Sequence, residues 1–329
     1  MKQRRTKKQH FLPCFVQHGF AFYVEFGGTR HKYRVYLFRR GRESKEPYTR
    51  DVGFENDFYC RPGEPDVEVK LADEERKRFA RLVRELRRGA VPRDRICDIP
   101  AFVAHLIVRT RNARRRLAMV GDDACDVIAD ELPRADPWAR ALEHMPAEAR
   151  VRLDAKPAAE REQLLAGLLE IATQWLQVQM AVQKERIPEQ VRRQQASTLS
   201  TGFDALPRTA HLASLSWSVV MASPGALILG DVGPIARDQG DTELAAPLTM
   251  QRPDVIYVPV AHDCVLVGAR EGVNSMFDPE QLNTASAELS VEFFIAFQST
   301  PREYAYAERI GDRASLVPRQ ELVDALRRT

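Results

Sequence analysis

The stretch DVIYVPVAHDCVLVG, residues 254–268, holds two short apolar segments, Val255–Val260 and Cys264–Val267, separated by Ala261, His262 and Asp263. Segments of this length, rich in Val and bounded by Asp, Pro and Gly, have the texture of strands and turns. The same texture runs back through Ala226–Leu229 and Ala213–Met221 as far as Thr198. Upstream of that point the period changes. Leu71, Phe79, Leu82, Val83 and Leu86 predict a helix beginning near Ala72, with Asp73, Glu74 and Glu75 in a first turn whose dipole favours negative charge, and Gly89 as its stop.

A second helix is predicted from Ile99 or Pro100 to Met119, with His105, Arg109 and Asn112 on one polar side that faces a pocket. Residues 122–159 carry Pro133, Pro137, Pro146 and Pro157 and read as short helices and loops. A longer helix resumes over Ala159–Val182, where Leu164, Leu165, Leu168, Leu169, Ile171, Ala172, Trp175, Leu176 and Met180 form a broad apolar face for the core or a partner helix. Helical spacing returns from Pro279 through Phe297 and again at Gln320–Leu326. Near the amino terminus, Tyr33–Phe38 reads as a strand and Pro47–Val52 as its hairpin mate. No internal repeat or coiled coil is read.

The expected fold is therefore α+β: an antiparallel or mixed sheet from N-terminal and C-terminal strands, with a helical middle. Residues 1–9 form a basic arm, 10–310 a single domain with its helical section at 72–195, and 311–329 a tail or helix.

The chain has 329 residues and a net charge of +3, unevenly spread. Residues 1–50 hold thirteen Lys or Arg against three Glu, whereas 119–170 hold twelve Asp or Glu against six Lys or Arg. Such a field steers a polyanion to one face, or joins parts of one chain or two subunits. The first ten residues lack the apolar run of a secretory signal, and Leu212–Leu229 is too broken by Ser, Pro and Gly for a membrane span. A cytoplasmic protein with no membrane partner is expected. Cys14, Cys60, Cys97, Cys125 and Cys264 lie far apart without a CxxC pair, which suits reduced, mostly buried thiols. Phosphate-binding P-loops, Rossmann glycines, HExxH, an EF-hand loop and a serine nucleophile elbow are absent from the sequence.

Three residues are candidates for chemistry. His10, beside Lys7 and Lys8, is read as base or ligand, or as an exposed structural histidine. Arg109 is read as a rigid clamp for phosphate or carboxylate. Asp231, at the end of the apolar run 227–229, is read as metal ligand, orienter or stabiliser of its own turn. With Glu55, Asn56 and Tyr59 they make either the ingredients of phosphodiester hydrolysis, in which a metal or an oriented base activates water, or a buried salt-bridge network. Arg109, Arg111, Arg114, Arg115 and Arg116 form a dense cationic cluster, and Tyr23, Tyr33, Tyr36, Phe38 and Tyr48 are stacking candidates among basic residues.

Taken in order, KKQHFLPCFVQHGF (7–20), VGFENDFYC (52–60), IPAFVAHLIVRT (99–110), LILGDVGP (227–234) and DVIYVPVAHDCVLVG (254–268) resemble the domain-of-unknown-function family numbered 4238. The resemblance rests on His10 and Pro13, on Asn56, Phe58 and Tyr59, on Arg109 and Thr110, on Asp231 and Pro234, on Pro259, and on Asn283 before the penultimate helix. Gly230 and Gly233 stand where the family has Ser and Asn. The family supplies no established activity, so the resemblance supports the choice of His10, Arg109 and Asp231 without assigning them chemistry.

The leading expectation is a nucleic-acid-directed hydrolase, with a divalent metal ion or an oriented base to activate water, in a defence or toxin-like role. The alternative is a noncatalytic protein that binds nucleic acid or a protein partner, or assembles as a homo-oligomer through the helix from Ala159. A third is a hydrolase for a small anionic ligand.

Overall fold

The computed structural model describes residues 8–27, 30–59, 67–131, 145–202, 204, 207–238, 240, 243–247, 250 and 252–313. The chain forms two compact units. The first draws its described residues from Met1–Arg116 and Arg192–Ser315, the second from Leu117–Val191.

The first unit is α+β with antiparallel sheets. Its N-terminal part comprises β1 (Lys8–His10), α1 (Cys14–Gln17), β2 (Tyr23–Gly27), β3 (Arg30–Arg34), β4 (Tyr36–Phe38) and β5 (Phe54–Asn56). Then follow α2 (Val67–Glu74), a π-turn at Glu75–Phe79, α3 (Ala80–Leu86), α4 (Asp98–Arg109) and α5 (Arg111–Glu131). After α6 (Ala147–Asp154) and α7 (Ala158–Ser200) come α8 (Pro207–Ala213), β6 (Ser216–Met221), β7 (Ile228–Gly230), β8 (Ile235–Arg237), β9 (Val255–Ala261), β10 (Cys264–Ala269), α9 (Pro279–Leu289), β11 (Phe294–Ala296) and α10 (Pro301–Ala307).

The stretch 254–268 supplies the two middle strands of a four-stranded sheet ordered β6-β10-β9-β8. Every residue of β9 is buried, because α1 packs over it and against α3. A second sheet, β4-β11-β7, joins strands from both ends of the sequence. Strand β7 is its edge, and α9 completes the ladder: Ile228 N donates to Asn283 Oδ1 (3.0 Å) and Gly230 N to Ser286 Oγ (3.1 Å). An edge strand covered this way offers no template to another chain.

Several expectations change. The strand Tyr33–Phe38 is split between β3 and β4, and its mate at 47–52 contributes only a bridge from Tyr48 to Arg34 before a 3-10 turn at Thr49–Asp51. Lys8 and Gln9, placed in a free arm, lie in β1 against β5, with Gln9 buried. The first helix starts at Val67. The second breaks at Thr110, whose extended backbone ends α4 and whose Oγ1 accepts from Ala113 N (3.0 Å) as the cap of α5. The helix from Pro279 stops at Leu289, and Phe294–Ala296 is a strand. Cys97 is exposed, and Cys14, Cys97, Cys125 and Cys264 are free thiols. Residues 1–7, Cys60 and the predicted helix 320–326 lie outside the described residues.

The second unit consists of the described helical residues from Leu117 to Val191. Here α5 and α7 approach closely: a Cβ on Gly121 would sit 2.9 Å from Ile187 Cγ2. Lys184 pairs with Asp126 (2.6 Å) across the same two helices. Pro188 lies inside α7, where it removes one backbone donor. No helix of the described residues is long and apolar enough to cross a membrane.

Candidate functional site

Arg109 is the largest fully buried side chain among the described residues. It is the last residue of α4, four after His105, so both side chains leave the helix on one face. Facing them, Glu68 on α2 and Glu75 at the start of the π-turn are seven residues apart and reach the same place. Arg109 forms an ion pair with Glu75, lies 3.5 Å from Glu68 Oε1 and donates from Nη1 to His105 Nε2 (3.1 Å). Its Nε donates to the His10 carbonyl oxygen (2.5 Å) and to the Tyr59 hydroxyl (3.0 Å). Tyr59 OH in turn donates toward the His10 and Arg109 carbonyls, each at 3.2 Å. One guanidinium thus joins β1, the segment at Tyr59, α2 with its π-turn, and α4. π-turns are rare in helices and recur at functional positions.

Burial holds His105 down to about pKa 3 and pushes the Tyr59 hydroxyl up. His105 is therefore neutral, consistent with accepting from Arg109. Burial, helped by the Arg109 charge, lowers His10 to about 4. The His10 ring turns from Arg109 to the Arg50 carbonyl, with Nε2 to oxygen at 3.1 Å, and packs on Phe54. Only the main chain of His10 enters the cluster.

Asp231 has a different set of partners. It follows β7, and its carboxylate accepts from Val291 N (2.8 Å), Glu292 N (2.8 Å) and Phe293 N (3.4 Å). Its own N donates to Phe293 O (3.0 Å). Burial raises it to about 6 against the pull of those three donors. This grip explains why the helix predicted through Phe297 stops at Leu289: the backbone donors of 291–293 turn to Asp231 and the chain enters β11. Gly230 and Gly233 fit the same corner. A Cβ on Gly230 would lie 2.2 Å from Ser290 Oγ, and Gly233 has φ +76°.

The structure therefore brings Arg109, Tyr59 and the main chain of His10 together and sets Asp231 in a separate turn. Glu55 instead pairs with Arg111 (3.3 Å), and Asn56 is exposed on β5. Asn112, beyond the break at Thr110, donates to Leu289 O (2.8 Å). The polar side of α4 faces glutamates in the core rather than a pocket. The sequence marks Glu68 and Glu75 only as a pair of acids at seven-residue spacing on the face that carries Leu71 and Leu82. Among the described residues, no group of three or more His, Cys, Asp or Glu side chains is arranged to hold a metal ion.

The arginine cluster at 109–116 is mostly turned inward. Arg116 is buried and donates to Leu289 O (3.2 Å). Arg114 stacks on Phe58 (3.4 Å to the ring centre) and bonds Gln195, and Arg111 pairs with Glu55 and Glu292. Arg115 alone of the five is exposed.

A different surface gathers cations around an aromatic ring. The register of β2 on β3 sets Tyr23 beside Arg34, and a bridge sets Arg34 beside Tyr48. Arg34 lies 4.6 Å, Arg50 5.3 Å and Lys32 5.7 Å from the Tyr48 ring centre. Arg39, Arg42 and Lys45 are exposed in the following loop, and Tyr23 is also exposed. The other stacking candidates are engaged: His18 stacks on Tyr33 (3.9 Å), Phe22 on Tyr36 (4.1 Å), and Phe38 is buried against Phe294.

The chain matches no protein-family model, no curated protein and no solved structure.

Proposed function

We propose that this chain is a noncatalytic nucleic-acid-binding protein that holds a single strand on the face formed by Tyr23, Lys32, Arg34, Tyr48, Arg50 and the loop Arg39–Lys45. The observation that carries this reading is the Tyr48 ring set among Lys32, Arg34 and Arg50 beside exposed cations. Cations attract the phosphate backbone, and an aromatic face among them stacks on any base. The hydrolase expected from the sequence draws less support. It needs Arg109 and Asp231 to offer their polar ends to a substrate, and those ends are occupied by Glu75, Tyr59 and His10 in one case and by backbone donors in the other. A relationship to family 4238 remains part of this proposal and brings no activity with it.

The test is fluorescence anisotropy of labelled single-stranded DNA and RNA from low to high salt, with Tyr48→Ala alongside the unaltered chain. Affinity should fall steeply with salt, and loss of the ring should weaken binding by about 1–3 kcal/mol per unstacked base. Binding that ignores both salt and Tyr48 would overturn the reading. Cleavage of either polymer in magnesium or manganese would restore the hydrolase.

A further inference from the structure

Helix α7 carries an apolar seam that is exposed among the described residues. Leu164, Leu168, Ile171, Trp175 and Val178 are between 41% and 65% exposed. Their spacing is four, three, four and three, and Val182 continues it after four more. That is the a/d repeat of a helix that pairs with another helix. The seam covers 19 residues, and its ends lie 18 rises apart, about 27 Å at ~1.5 Å per residue. The neighbouring Leu165, Leu169 and Leu176 are only half-buried, so the apolar surface extends beyond the seam itself. A contiguous patch of this kind marks an interaction site.

We propose that this seam pairs with the same seam of a second copy, antiparallel, to form a homodimer. Two features favour a second copy. The positions flanking the seam, Leu165, Ala172 and Gln179 on one side and Gly167, Gln174 and Ala181 on the other, carry no charge. An isologous pairing of this face with itself therefore meets no like-charge repulsion. The seam is also self-complementary when reversed. With the twofold axis at Thr173, Leu164 lies opposite Val182 of the second copy, Leu168 opposite Val178, and Ile171 opposite Trp175, so every layer is filled. The same order sets Glu160, which pairs with Lys156 in its own chain, along the exposed Arg186 of the second copy, and Glu162 along Lys184, which already holds Asp126, whereas a parallel order would place like ends together. The pairing uses the second unit alone and is independent of the nucleic-acid reading, which uses the first.

The test is sedimentation of the full chain over a range of concentrations, with amide hydrogen exchange of the unmodified protein at both ends of that range. The expected result is a species of twice the 37.4 kDa chain mass, with concentration-dependent protection confined to peptides covering Leu164–Val182. A monomer throughout, or a dimer protected elsewhere, overturns the proposal. Ile171→Glu should give a monomer with its helical circular dichroism retained, and a dimer unaffected by it counts against the seam. Orientation is read by oxidation with the disulfides mapped by peptide mass, because Cys97 is exposed: Leu164→Cys combined with Val182→Cys should join position 164 of one copy to position 182 of the other, while Leu164→Cys alone should not join position 164 to itself. A disulfide between the two positions 164 would overturn the antiparallel order.

Discussion

In the stretch 109–116, Arg109 and Arg116 are buried and Arg111 and Arg114 are spent on carboxylates, carbonyls and a phenyl ring. In the stretch 32–50, Lys32, Arg34 and Arg50 gather around a half-buried tyrosine, and Arg39, Arg42 and Lys45 stand in solvent in the loop between. Both stretches are dense in positive charge. Their fates diverge because of what surrounds them. The first begins at the C-terminus of an apolar helix, so its side chains enter the core and must find acids or carbonyls there; the second lies on short strands and a loop whose outer side meets water. Charge density in a sequence is thus a poor guide to a polyanion surface until the period of the neighbouring apolar residues says which way the cations point.

The sharpest way to break this contrast is to remove one arginine from each class. Arg109→Ala takes from the partly buried Glu75 and the buried Glu68 the guanidinium that faces them and strips a donor from Tyr59 and the His10 carbonyl. Deleting one partner of a buried ion pair costs about 3–5 kcal/mol. Arg115→Ala, in the same run of arginines but exposed, should change stability by no more than about 0.5 kcal/mol. Urea unfolding of both variants checks the pair. Equal small effects would mean that the Arg109 cluster is not the internal tie described above.

How much of this was legible in the residues can be said element by element. The strands at 255–260 and 264–267 were readable because fully buried strands show as continuous Val-rich runs bounded by turn residues. Tyr59 and Arg109 were readable as polar groups among core formers, although not the partners that complete them, since Glu75 reads with Asp73 and Glu74 as an ordinary acidic first turn and Glu68 lies before the helix start read at Ala72. The strand Phe294–Ala296 reads as helix because its apolar spacing continues that of α9; Asp231, more than fifty residues earlier, decides otherwise, and no local period records that. The capping box Thr300–Glu303 that opens α10 is a local signal, present in the sequence without any need of the fold. On α7, two interleaved apolar stripes merge into one broad face, so the open seam becomes visible only once its neighbours are in place.

A smaller effect distinguishes the buried polar groups from each other by pH. Burial lowers His105 from 6.5 to about 3, and His10 and His18 to about 4, so the unfolded chain binds protons first as pH falls. Stability from these groups is complete above about pH 6.5 and is lost as pH drops from there toward 4 and then 3, by up to ~1.4 kcal/mol per pH unit for each histidine. Asp231 acts in the opposite sense: raised to about 6 from 3.8, it favours the fold when protonated and gives that up as pH rises between those values. Three histidines outweigh one aspartate, so the urea midpoint should fall on acidification from pH 6.5 to 4.5. His105→Gln, which keeps an acceptor for Arg109, should flatten that slope; an unchanged slope would mean that His105 is charged in the fold.

The smallest expected change in stability comes from the surface, and it sharpens the comparison most. Reversing Arg39, Arg42 and Lys45 to Glu removes three exposed cations without touching a described ion pair, so the unfolding midpoint should move by no more than about 0.5 kcal/mol. Single-strand affinity should nonetheless drop, and the slope of log affinity against log salt should shrink by about 2, at ~0.7 for each phosphate that is no longer neutralised. A large loss of stability would show that these side chains are built into the fold as Arg109 is. An unchanged salt slope would move the polyanion to some other face, and with it the distinction between inward and outward arginines would lose its functional meaning.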